Sequence, residues 1–189
     1  FTMKLFSAKQ LKDWDAYTIK QEPVTSINLM ERAAKACFKW LSIYLHSIQF
    51  KKNETHTDCI HIFCGKGNNG ADGLAIARML LENNYKTTVY ILDAGNTSTH
   101  DFEINLERLL SIKALVYFIR DIASFPVIEK NDMVIDALFG TGLNRPVDGL
   151  AAPLIKCINQ SKSTVISIDI PSGMFADKSC KDLTKVMAT

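Results

Sequence analysis

Cys59-Ile60-His61-Ile62-Phe63-Cys64-Gly65-Lys66-Gly67-Asn68-Asn69-Gly70-Ala71-Asp72-Gly73 is the stretch that decides the architecture. Its first six residues form a short apolar run that stops at glycine, as a strand buried on both faces does. The glycines then lead into a helix expected over 74–84, with Leu74, Ala77 and Leu81 facing inward. Residues 88–92 read as the next strand, 102–110 as a helix, and 114–119 and 133–138 as strands. A helix with Pro153 in its opening turn follows, then a strand over 164–170. Apolar runs alternating with helical segments mean βαβ units and a parallel sheet covered on both faces. The expected fold is therefore a three-layer α/β/α, Rossmann-like arrangement with a mostly parallel sheet.

Two helices precede it. Ser7-Ala8-Lys9-Gln10 has the S-x-x-Q form of a capping box, and the helical pattern runs to about Gln21. Pro23 interrupts it, and a second helix starts near Ser26. Leu29, Ala33, Cys37, Trp40, Leu41 and Tyr44 share one of its faces, which predicts that Trp40 and Tyr44 are core residues. The polar loop 49–57 carries Lys51-Lys52, read as a solvated pair. Phe1-Thr2, ahead of Met3, are taken as an expression remnant, leaving one domain over 3–189.

The 189 residues are 47% hydrophobic and 22% charged, with a net charge of +2. That balance suits a globular core, and the interleaved charges offer no field for nucleic acid or an anionic membrane. No apolar run approaches the roughly 20 residues of a membrane span, and the start lacks the order of a secretory signal. Five cysteines, an odd number with no C-x-x-C pair, read as free thiols, which points to a reducing, cytoplasmic setting.

Three polar segments directly follow predicted strands, and the carboxyl ends of parallel strands share one edge, where ligands bind. In the first, Gly65, Gly67 and Gly70 spell G-x-G-x-x-G, and Asp93 ends the following strand near the offset of a ribose-binding acid. A glycine-rich turn into a helix offers unpaired N–H groups to an anion. Asp72 would repel a phosphate beside it and suits a hydroxyl or a cation better. Taken alone, this segment is equally a tight turn with an Asn cap. The second segment is Asp136-Ala137-Leu138-Phe139-Gly140-Thr141-Gly142-Leu143-Asn144-Arg145-Pro146. Asp136 stands inside an apolar strand and needs a partner: a cation, a ring of donors, a substrate, or an ion pair with Arg145. The third is Asp169-Ile170-Pro171-Ser172-Gly173, which alone reads as a capped turn. Their conjunction on one sheet edge carries the functional reading.

In this order and spacing, the three segments resemble the YjeF N-terminal domain family, the NAD(P)H-hydrate epimerases, from about Met3 to the end. Ala71 stands where the family pattern has glycine. As a first-turn helical residue it would be harmless; at positive φ it would cost roughly 1 kcal/mol. The resemblance implies an isomerase that interconverts the S and R forms of NADHX or NADPHX at C6. It also implies that Asn68, Asn69, Gly70, Ala71, Asp72, Gly140, Thr141, Gly142, Leu143, Asn144, Arg145, Pro146 and Asp169 hold the substrate. Asn69, Asp136 and Ser172 would coordinate a potassium ion, an oxygen-only set that a hard cation prefers. It further implies a homodimer and a longer product with a C-terminal ADP- or ATP-dependent dehydratase domain. Asp136 is the expected acid–base group. The rival readings are an NAD(P)-dependent oxidoreductase, for which no Tyr-x-x-x-Lys pair is found, and a non-catalytic binding module.

Overall fold

The computed structural model describes residues 6–48, 58–95, 97–180 and 184–189. Phe1-Thr2 and the Lys51-Lys52 loop lie outside them. The elements are α1 (Ala8–Gln21), α2 (Ser26–Ser47), β1 (Ile60–Cys64), α3 (Asn68–Glu82), β2 (Thr87–Leu92) and α4 (His100–Ser111). β3 (Val116–Ile119), β4 (Met133–Ala137), α5 (Ala151–Gln160) and β5 (Thr164–Ser167) complete them, with one 3-10 turn at Ile122–Ser124. All pairings are parallel, in the order β3-β2-β1-β4-β5. β1 is buried along its whole length, as its continuous apolar run requires.

Strand alternation splits the core in two. Ile60, Ile62 and Cys64 join Val89, Ile91, Met133 and Ile135 under α2, α3 and α4. Phe63, Tyr90, Val134 and Val165 lie on the other face against Leu154, Ile155 and Ile158 of α5. Each of those three α5 side chains, fully buried, contributes about 1.5–3 kcal/mol. The three layers expected from the sequence are present.

Three local expectations change. First, α3 begins at Asn68, six residues before the expected start, so the glycine-rich segment is itself the opening of the helix. Small residues make this possible. A Cβ on Gly70 would land on the Gly65 carbonyl oxygen, and one on Gly73 would press on Ala137 and Cys64. Ala71 lies within α3, is fully buried and has no positive φ, so its methyl group fits. Gly70→Ala is expected to cost about 2–3 kcal/mol, because the clash is with backbone that cannot step aside. Urea denaturation would read the loss, and an unchanged midpoint would contradict it.

Second, the buried stripe of α2 is Ala34, Leu41 and Leu45, flanked by Met30 and Phe38. Ala33 and Cys37 are exposed, and Trp40 is 57% exposed, stacked on Tyr44 at 5.5 Å. The helix carries two apolar stripes, and periodicity alone does not say which one meets α3. Third, β5 stops at Ser167, because Asp169 takes a left-handed turn at φ 65°. The capping box of α1 forms as expected, Ser7 and Gln10 bonding reciprocally. Cys59 and Cys64 are free and buried.

Candidate functional site

The three polar segments meet at the carboxyl edge of the sheet, around β1, β4 and β5. Asp136 is the next-to-last residue of β4 and sits in register between Phe63 and Ser167. Its exposure is 0%, and four donors converge on it. Ser172 Oγ donates to Oδ1 at 2.5 Å and Leu138 N at 3.2 Å. Ser172 N donates to Oδ2 at 2.9 Å and Ser167 Oγ at 2.8 Å. Burial still wins: the carboxyl is pushed above the ordinary range despite these four hydrogen bonds. Arg145 is exposed and takes part in none of the ion pairs found among the described residues, so it is not the partner of Asp136.

Phe139 and Gly140 tie this carboxylate to the other two segments. Phe139 N donates to Ser172 Oγ at 2.8 Å. Gly140 packs against Asn69 and Asp169: a Cβ there would press on Asp169 Oδ2 and lie 3.2 Å from the Asn69 amide carbon. Only glycine admits that approach. Thr141 N donates to Asp169 Oδ2 at 2.6 Å, holding the left-handed residue in place. Asp136, Ser172 and Asn69 are therefore strung along one backbone segment: Asp136 on Leu138 N, Ser172 on Phe139, and Asn69 beside Gly140.

Both polar atoms of the Asn69 amide are buried and make no hydrogen bond within the protein. An amide in that state calls for an outside partner, since leaving it unpaired costs about 1–3 kcal/mol. Together with the wholly buried Asp136 carboxylate it forms an oxygen-rich set of the kind an alkali cation accepts. Among the described residues, no three His, Cys, Asp or Glu side chains gather as a transition-metal site.

Asp72 lies on the first turns of α3 and makes no hydrogen bond or ion pair among the described residues. Burial, then the neighbouring Asp169, Asp15 and Asp101 carboxylates, raise its pKa to about 7. Beside it, a groove of about 380 Å³ runs between α2 and the end of β5, lined by Cys37, Trp40, Leu41, Ile76, Ile168 and Asp169 among others. The exposed stripe of α2 thus walls a cavity with a carboxylate at its rim. Gly70 and Ala71 are buried under the turn, while Asn68 stands exposed at the start of α3. Gly142, Asn144, Arg145 and Pro146 extend outward on an exposed loop, and Leu143 N closes a turn onto Gly140 O at 3.0 Å.

Three residues escaped the sequence reading, Ser167 at the site and Lys66 and Arg120 in a corner beyond it. Ser167 was hidden in an apolar run, although its register opposite Asp136 follows once the strand order is known. Lys66 and Arg120 both bind Asp93, which at the sequence level is a solitary ribose acid.

The all-parallel strand order, which reverses direction of growth between β1 and β4, places the chain in the Rossmann-like class of α/β proteins. It belongs to the family described as YjeF-related protein N-terminus, whose pattern matches residues 26–189. It is 37% identical over 179 residues to the NAD(P)H-hydrate epimerase of Anaerococcus prevotii, covering 93% of this chain and 77% of that one. To the NAD(P)H-hydrate epimerase of Limosilactobacillus fermentum it is 36% identical, covering 93% and 78%. The bifunctional NAD(P)H-hydrate repair enzyme Nnr of Dictyoglomus turgidum matches at 31% identity over 93% of this chain and 32% of its own length. The crystal structure of yeast ynu0 superposes with a TM-score of 0.77 at 20% identity, over 98% of this chain and 78% of that one, a likeness of fold.

Proposed function

We propose that the chain is an NAD(P)H-hydrate epimerase that inverts C6 of a hydrated, reduced nicotinamide nucleotide. The observation that carries the reading is the convergence of Asn69, Asp136, Asp169 and Ser172 along the 138–141 backbone. The relatives named as epimerases match over nine-tenths of the chain.

The substrate is a carbinolamine: the ring nitrogen can expel the C6 hydroxyl once an acid protonates it. The hydroxyl leaves as water with its C–O pair, the nitrogen lone pair forms C=N, and water adds to the other face. The proton shed by the incoming water returns to the carboxylate, so nothing is consumed. Of the two acids considered, Asp136 spends both oxygens on four donors. Asp72 is free of such bonds and titrates near neutrality, where a proton carrier works best. We therefore assign the transfer to Asp72 and leave Asp136 as the charge that holds the loops. Asn69, Asp136 and Ser172 would hold a potassium ion, which would neutralise that charge. The 140–146 loop and Asn68 would line the nucleotide. Residues 3–189 act as one epimerase domain in this reading.

No helix among the described residues is long and apolar enough to cross a membrane, and the free thiols suit a cytoplasmic enzyme. Large apolar side chains lie exposed on α1 and α2, Trp14, Tyr17, Trp40 and Ile43 among them, which supports a homodimer. A dehydratase acting on the same hydrate would follow, whether carried on the same polypeptide or on another.

The test is a chromatographic time course on purified S and R hydrates, in potassium and in choline buffers. Epimerisation well above the uncatalysed rate, faster in potassium, is expected, with no absorbance change on NAD and alcohols. Interconversion at the background rate in both buffers rules the reading out.

A further inference from the structure

The corner on the far side of the glycine-rich turn from Asp136 has an arrangement that the epimerase chemistry does not use. Asp93 follows β2, next to the turn. Lys66 Nζ lies 2.5 Å from its Oδ1, and Arg120 Nε donates to its Oδ2 at 2.9 Å. These two cations hold the Asp93 carboxyl below the ordinary range, Lys66 most strongly. Arg120 follows β3, lies over the Phe118 ring at 5.3 Å, and its side chain is 67% exposed. The neighbouring Asp121 carboxylate is turned back onto Ser124 N and Oγ, at 2.9 and 2.7 Å. Two cations thus converge on one carboxylate, while that of Asp121 bonds within its own turn.

Position gives this pair of cations a meaning. In a sheet ordered β3-β2-β1-β4-β5, a dinucleotide that reacts over β4 and β5 lays its adenosine half over β2. The acid at that strand end ordinarily accepts hydrogen bonds from the ribose hydroxyls. Here both Asp93 oxygens are already committed to cations, so the acid is poorly placed to read a ribose diol. A guanidinium braced by a carboxylate and a ring suits a phosphate.

We propose that Lys66, Asp93 and Arg120 form a subsite for the 2′-phosphate of the adenosine ribose, so that this chain favours the phosphorylated hydrate, NADPHX, over NADHX. The proposal rests on the epimerase reading for the identity of the substrate. Asp93 is a positioning residue that aims the two cations.

The experiment compares kcat/KM for the two hydrates in the wild type, Arg120→Ala and Arg120→Lys. The wild type is expected to favour NADPHX by about tenfold or more, the worth of one charge-assisted hydrogen bond. Arg120→Ala should raise KM for NADPHX by about that factor with kcat unchanged, and leave NADHX within about twofold; Arg120→Lys should recover part of the loss. Equal kcat/KM for the two hydrates in the wild type, or equal losses on both in Arg120→Ala, overturns the proposal. Calorimetry with 2′,5′-ADP against 5′-AMP judges the corner without turnover. Tighter binding of 2′,5′-ADP that Arg120→Ala abolishes supports it even if neither hydrate is epimerised, an outcome that would sink the epimerase reading alone. Equal affinity for the two nucleotides overturns it.

Discussion

Asp136→Ala is expected to abolish epimerisation and to cost about 3 kcal/mol of stability at neutral pH. The substitution strips the acceptor from Ser172 N, Ser172 Oγ, Ser167 Oγ and Leu138 N together. An unpaired buried donor costs about 1–3 kcal/mol. Removing the desolvated carboxylate returns part of that, since burial already disfavours its charge. The balance remains unfavourable because Phe139 N and Ser172 lose their shared anchor at the same time. A second readout separates packing from ion binding. Potassium should raise the urea midpoint of the wild type, as any ligand of the folded state does, and leave Asp136→Ala unmoved. A variant with an unchanged midpoint and unchanged turnover would overturn this account.

Asp72→Asn should move stability and activity in opposite directions. The carboxyl has a folded pKa of about 7 against an ordinary 3.8. Because the folded value is the higher one, its contribution is fully present below about pH 3.8 and is lost as pH rises through 7. At pH 8 the wild type therefore carries a buried charge that the amide does not. The full shift would correspond to about 4 kcal/mol, and the solvent that still reaches this side chain reduces the expected gain to about 1–3 kcal/mol. The gain should vanish near pH 4. Turnover should fall by about 10²–10⁴-fold, the usual worth of a placed proton carrier. Urea midpoints at pH 4 and pH 8 check the first part, and epimerisation rates the second. A variant no more stable at pH 8, or one with wild-type turnover, refutes the assignment.

The strands and the three loops were legible because each announces itself locally: an apolar run of strand length, then glycine or an acid. β1, β2 and β4 fall within a residue or so of their expected places. The start of α3 was not legible, because Asn68 to Gly73 is poor in helix formers and helical only by virtue of the Gly65 backbone it lies on. The buried face of α2 was not legible either, since both of its stripes are apolar and only α3 selects between them. At the site, Asn69, Asp136 and Ser172 carried a sequence signal. The partners of Asp136 and Asp93 did not, because Ser167, Lys66 and Arg120 are ordinary residues until strand order sets them opposite an acid.

The strand order also governs how this chain is made. β1 lies at the centre of the sheet, flanked by β2 and β4, yet its second neighbour begins only at Met133. A growing chain can pair β1 with β2, and β2 with β3, at once, while the other side of Ile60–Cys64 stays open until β4 has been synthesised. That interval exposes an unpaired, largely apolar strand edge, the template on which chains associate with one another. The late closure of a parallel centre makes folding slow. Yield during expression should accordingly depend on temperature and chaperone supply more steeply than the stability of the finished sheet would imply.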